Sequence, residues 1–218
     1  MSLSNKSSGS KVNKTIWQYY LFTFFRDFAF FSAVLVPFFT QWGNISLIQV
    51  QFLQSWFMLW IFLLEVPTGV IADCLGRKYS LALGTIVWSM AALIYGSVPH
   101  FAIFLIGEFF FAMAMALISG ADSALLYDSL KEAGREAESK SIFGKAHSIH
   151  LFGIFLSAPL GGIIADKWGL NYPMLFSALP ISLAGFIAWK MKEPVVEKNA
   201  ISESTRYLDI AKKGLRFF

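Results

Sequence analysis

Apolar and polar residues follow one another in long blocks, not at the short periods of a soluble helix or strand. Six apolar stretches, near residues 16–40, 46–72, 79–97, 101–127, 143–165 and 172–190, approach or exceed the roughly 20 residues a helix needs to cross a hydrocarbon core. They are continuously apolar and do not alternate, which predicts spanning helices in place of barrel strands. The first, second and fourth are longer than a crossing requires, leaving room for tilt or kinks. The expected organisation is an N-terminal segment over 1–15, a six-helix bundle over 16–192 and a tail over 193–218. In the tail, Leu208, Ala211, Leu215 and Phe218 fall on one helical face, with Lys212, Lys213 and Arg216 elsewhere. That pattern predicts an amphipathic helix on the membrane surface.

The connections differ sharply in charge. Lys6, Lys11 and Lys14 precede the first stretch, Arg77 and Lys78 follow the second, and Lys131, Arg135, Lys140 and Lys145 follow the fourth; the tail is again basic. The opposite connections hold only Lys167. By the positive-inside rule both termini are cytoplasmic, which implies a multi-pass protein of the plasma (inner) membrane. Trp17, Tyr19, Trp42, Trp168 and Tyr172 fall near the expected interfaces, where amphipathic rings collect.

Composition excludes several classes. Apolar residues make up 56% and charged ones 15%, against about 45–50% and about 25% in soluble domains. The formal charge of +4 is accounted for by orientation, so no nucleic-acid partner is implied. Cys74 is the single cysteine, which rules out an intramolecular disulfide framework, and no Cys/His cluster has metal-ligand spacing. No cofactor is expected. There is no nucleotide-cradling loop, His-Glu-x-x-His or Gly-x-Ser-x-Gly, so neither an ATP-driven pump nor an intramembrane enzyme is indicated.

One turn is written twice. Gly-x-Ile-Ala-Asp-x-x-Gly occurs at 69–76 and again at 162–169, but Arg77-Lys78 follows the first copy and Leu170-Asn171 the second. Two triplets of spans, 1–3 and 4–6, would carry the turn after their second members. An odd number of spans per triplet inserts the second upside down, where an Arg-Lys pair would oppose the orientation rule. The motif Gly69-Val70-Ile71-Ala72-Asp73-Cys74-Leu75-Gly76-Arg77-Lys78-Tyr79-Ser80-Leu81 resembles the signature loop of the major facilitator superfamily. Residues 120–130 and the pair Glu193-Pro194 also look like that superfamily. The resemblance implies a 3+3 inverted repeat, half of a twelve-helix fold, with alternating access and a path lined by spans one, two, four and five. It also implies a cytoplasmic latch: Asp73 caps a helix end, and Arg77 and Lys78 supply the base that pairs with Asp128 on span four. Because the chain reaches only six spans, it is expected to be the N-terminal half of a longer transporter, partnered by a second six-span half or by a homodimer.

Ionisable residues in the apolar stretches fit the lining helices. Arg26 and Asp27 lie in span one, Glu65 in span two, Glu108 and Asp122 in span four, and His150 in span five. Intramembrane charge is expensive and turns toward a partner or a wet cavity. Arg26 lies about 15 Å from the inner end of its span, Glu65 about 10 Å, and Asp122 at similar depth. Arg26, Asp27, Glu65 and Asp122 are therefore expected to share an inner site in which one acid binds a proton and Arg26 holds an anion or tunes that acid; a static ion pair is the alternative. His150 is the candidate relay. Gly69, Gly76, Gly153, Gly161 and Gly162 are expected at close approaches of backbone, and Pro67 and Pro159 at kinks. The function these features imply is a secondary transporter embedded in the lipid bilayer, an antiporter using protons to export small molecules. The alternatives are uptake of an anionic metabolite and a non-transporting membrane subunit. Cysteines introduced singly at 77 and 170, with Cys74 replaced by serine, should react with an impermeant maleimide from opposite faces of the membrane. Reaction of both from one face would overturn the inverted arrangement.

Overall fold

A computed structural model describes residues 2–194, with side chains from Val12 onward. The expected surface helix of the tail lies outside the described residues. Every regular element among these is helical: α1 (Ser2–Asp27), α2 (Leu35–Pro37) running into a wide π turn (Phe38–Trp42), α3 (Leu47–Leu75), α4 (Arg77–Ser97), α5 (Phe101–Ser119), α6 (Asp122–Glu132), α7 (Ser139–Trp168) and α8 (Tyr172–Trp189). Five helical stretches are long and apolar enough to cross a bilayer: α3, α4, α5 with α6, the stretch ending in α7, and α8. Helix α1 continues through residue 15, so the expected boundary there does not end an element. Pro67 and Pro159 lie inside α3 and α7, which continue on either side of them.

The single helix expected over 16–40 is instead broken. Residues 28–34 leave the helical path between α1 and α2. Backbone groups freed within a membrane must find partners inside the protein. The Phe30 N–H donates to the Ser177 hydroxyl of α8 at 2.8 Å, and that hydroxyl donates in turn to the Pro173 carbonyl at 2.7 Å. Gly161 of α7 lets the break sit against the helix, since a Cβ there would lie 1.8 Å from the Phe30 oxygen. Span four is interrupted more mildly, at Gly120-Ala121 between α5 and α6.

The packing is two-fold in pattern. Span two lies on span four and span five on span one; span three lies on span four and span six on span one; spans three and six pack on each other. Exchanging each span for the one three places on leaves this set unchanged. The Ser89 and Ser182 hydroxyls, 93 positions apart, meet at 2.7 Å where spans three and six cross. The same spacing separates Asp73 from Asp166 and Gly76 from Gly169. The two glycines end α3 and α7 with matching backbones, φ 105° and ψ 147° against φ 115° and ψ 162°. Those positive φ values suit glycine, which has no Cβ to clash. The arrangement is consistent with a 3+3 repeat.

Burial divides the spans by task. The apolar windows of spans two and five are only 11% and 17% buried, against 67% and 50% for spans three and six. Spans three and six form the centre, while α3 and α7 turn most of their surface outward. Replacing Gly161 by alanine should force the break in span one away from α7 and cost about 1–3 kcal/mol. Gly162→Ala, where a Cβ meets nothing within 4 Å, should leave stability unchanged. Thermal unfolding of the two variants in detergent separates these outcomes.

Candidate functional site

Helix α1 presents Tyr19, Thr23 and Arg26 at helical i, i+4, i+7 spacing, on the face directed at α6 and α7. Asp27 is its last residue. The Arg26 guanidinium donates to Asp27 through Nη2 at 2.8 Å and through Nε at 3.2 Å, and its Nη1 lies 2.5 Å from Asp122 of α6. Asp122 occupies the first turn of α6, just beyond the Gly120-Ala121 interruption, where the positive helix end favours a carboxylate. His150 of α7 places Nδ1 2.9 Å from Asp27 Oδ2, although the contact is not aligned as a hydrogen bond. His147 stacks on His150 with ring centroids 5.6 Å apart. The Arg26 guanidinium also sits 5.4 Å from the Phe22 ring centroid, within cation–π range.

Of these groups, Arg26, Asp122, His147 and His150 border a cavity of about 310 Å³, which Tyr19, Thr23 and Phe143 also wall. Arg26 and Asp27 are 14% and 10% exposed and Asp122 22%. The Tyr19 hydroxyl is directed at the Asp122 carboxylate. The Thr23 hydroxyl and Asp122 Oδ1 are buried without a hydrogen-bond partner among the described residues, leaving open polar valences at the cavity. One guanidinium thus faces two carboxylates, and a neutral His150 leaves the set one positive charge short. A proton, or a cation, is what such a cluster can take up.

Of the residues expected to share this site, Arg26, Asp27 and Asp122 come together with His150. Glu65 does not join them. It lies at similar depth but on the exposed face of α3. Thr23 enters the site without having been singled out, and Tyr19, expected at a membrane interface, lines it with His147; the seven-residue interval from Tyr19 to Arg26 was a usable signal.

At the end of the bundle where α3 meets α4, Arg77 forms an ion pair with Asp128 and donates from Nη1 to the Ala124 carbonyl at 2.6 Å. Lys78 Nζ lies 4.7 Å from the Tyr79 ring centroid. Asp73 is exposed. The cap on α4 comes instead from Glu193, beyond span six: its two carboxylate oxygens accept from the Arg77 N–H at 2.7 Å and the Lys78 N–H at 2.9 Å. A Cβ at Gly76 would lie 3.1 Å from that carboxylate carbon, so the glycine also makes room for the cap. Lys192 reaches Glu132 of α6 at 2.5 Å, tying span six to span four as well. In the connection after α6, Arg135 holds the Glu138 carboxyl below its usual range and donates to Asn13 of α1 at 2.6 Å. Among the other glycines, a Cβ at Gly153 would lie 3.2 Å from the Phe24 oxygen. A Cβ at Gly69 would meet nothing within 4 Å, so the close approach expected there is not present; one at Gly120 would lie 3.7 Å from the Gly69 Cα.

Two comparisons bear on identity. The family model described as Major Facilitator Superfamily matches residues 19–216. The chain is also similar to an uncharacterized MFS-type transporter, MJ1560, of Methanocaldococcus jannaschii, at 24% identity over 191 residues. That match covers 87% of this chain and 48% of the relative, so the chain spans about half the relative's length. Glu193→Ala should remove the cap on α4 and lower stability by about 0.5–2 kcal/mol. Denaturant unfolding in micelles measures it, and an unchanged midpoint would mean that the bond is not maintained in the membrane protein.

Proposed function

The chain belongs to the major facilitator superfamily, and from that premise we propose that it supplies a six-span half of a proton-coupled secondary transporter. The observation that carries the reading is the charge count at the cavity. Arg26 is shared by Asp27 and Asp122, and the imidazole of His150 lies 2.9 Å from Asp27. Histidine is the side chain suited to change charge near neutral pH, and a proton taken up here balances the second carboxylate. Loss of that proton frees one acid to compete for Arg26, which loosens or tightens span one against spans four and five. A ligand shifts access only through a difference in its interaction with the two states, and this pairing provides such a difference.

The inner latch supplies the opposing bias. Arg77–Asp128 and the Glu193 cap close the inner ends of spans three, four and six together. With the basic connections on the cytoplasmic side, both termini are cytoplasmic and the 310 Å³ cavity opens inward. Export of small amphipathic compounds is the direction we assign, supported by the acidic and aromatic lining. The exposed faces of spans two and five support a second six-span half as the partner that completes the path. Uptake of an anion is less well supported, because Arg26 already has two carboxylate partners and an anion would meet net negative charge.

In proteoliposomes holding this chain and its completing half, flux driven by a pH gradient should fall about tenfold or more for Asp122→Asn, the scale of an uncompensated charge in a partly buried pair. His150→Gln should flatten the dependence of flux on pH. Flux with unaltered pH dependence in both variants would remove the proton role, and no flux in the unsubstituted pair would favour a non-transporting subunit.

A further inference from the structure

A second cavity lies on the far side of the break in span one. It shares no lining residue with the Arg26 cavity. Its volume is about 140 Å³, its walls include the rings of Phe31, Phe57, Tyr95 and Phe111, and its polar groups are Gln54 and Glu108. No basic side chain lines it. Glu108 is 5% exposed, and the Tyr95 hydroxyl is directed at its carboxylate as a hydrogen-bond donor.

The acid is held in place from both sides. A Cβ on Gly107 would lie 2.7 Å from the Tyr95 ring, so the glycine beside Glu108 lets that ring lie flat on span four. Tyr95 stacks on Phe104 with centroids 5.8 Å apart and an interplanar angle of 20°, and Phe39 meets it edge-on at 5.8 Å. These contacts hold the Tyr95 ring beside Glu108. Gln54 lies on the exposed face of α3, which gives the cavity a mouth on the side of span two that the bundle leaves uncovered.

A lone carboxylate in an apolar, ring-lined space is costly, and the environment favours a positive occupant. Ring faces attract a cation that has shed its water, and alkylammonium ions suit them best. The volume is close to the roughly 150 Å³ of an engineered cavity that accepts benzene, so the occupant has about five to seven heavy atoms. We propose that this cavity is a binding site for a small alkylammonium ion, its charge against Glu108 and its methyl groups against the rings. The site stands on the fixed Glu108–Tyr95 pair and the aromatic walls, independently of any proton step at Asp122.

Calorimetric titration of the full chain in micelles with tetramethylammonium tests it. Saturable binding at one site is expected, with no comparable binding of tert-butanol, which has the same number of heavy atoms and no charge. Glu108→Gln should weaken binding about tenfold or more, and Gly107→Ala, which displaces Tyr95, should weaken it as well. Asp122→Asn should bind as the unsubstituted chain does, so failure of the transport reading and failure of this one give different results. Absence of saturable binding, equal binding of tert-butanol, or unchanged affinity in a folded Glu108→Gln variant overturns the proposal. Should that variant misfold, the discrimination between the two probes by the unsubstituted chain decides it.

Discussion

An unpaired backbone N–H in hydrocarbon costs several kcal/mol, and the bond from Phe30 to the Ser177 hydroxyl is what lets span one break inside the membrane. The break does more than bend the chain. It ends α1 at Asp27, so that Arg26 and Asp27 occupy a helix terminus facing α6 and α7. It also turns Phe31 and Leu35 toward the aromatic cavity around Glu108. The aromatic cavity borders this segment through Phe31, and the Arg26 cavity borders the part of α1 that the break terminates. A continuous helix over the same residues would carry Phe30 past Gly161 and would not put these two sets of side chains on different sides of a joint.

Arg26 and Arg77 show how surroundings divide the work of similar side chains. Arg77 lies at the end of the bundle, and its partners, the Asp128 carboxylate and the Ala124 carbonyl, belong to one helix. Its backbone N–H is held by Glu193 from span six. That geometry fastens three spans together at one end of the bundle. Arg26 is bound by carboxylates from two different spans beside a cavity, with Asp122 Oδ1 left unsatisfied. A pair with a spare valence beside a cavity has another partner within reach, whereas the Arg77 guanidinium holds two acceptors of a single helix. The contrast lies in how many elements each guanidinium joins, built from the same ionic chemistry.

The sequence made the six apolar stretches legible because lipid demands long uninterrupted runs, and the repeated turn legible because its glycine must adopt positive φ in both copies. It did not make the break legible. The run around Phe28 to Phe31 contains neither Gly nor Pro, and what opens it is Ser177 and Gly161, far away in sequence. Grouping acids by depth brought Asp122 to Arg26 correctly but misgrouped Glu65, since depth along a helix says nothing of the direction a residue faces around it. The capping role expected of Asp73 is filled by Glu193, which reaches α4 from beyond span six. Both are acids close to a helix end, and only tertiary structure decides which one is aligned with the N–H groups. Glu108 was visible as a buried charge, yet apart from Phe111 its aromatic surroundings come from spans one, two and three.

The pairing of Ser89 with Ser182 carries the repeat further than the turns do. Turn chemistry recurs wherever a helix must end at a glycine, so two similar turns are weak evidence of a common unit. Two residues separated by the repeat spacing that also touch each other must lie on the axis relating the units, because that is where equivalent atoms coincide. The exchange of packing partners among all six spans has the same axis. Spans three and six, which cross there, are the most deeply buried and have no charge in their interiors. Spans two and five, remote from it, keep the surface that the bundle does not cover. The division between a buried centre and helices with uncovered surface is consistent with that exchange, and the absence of Arg-Lys from the second turn is what two units inserted in opposite senses would require.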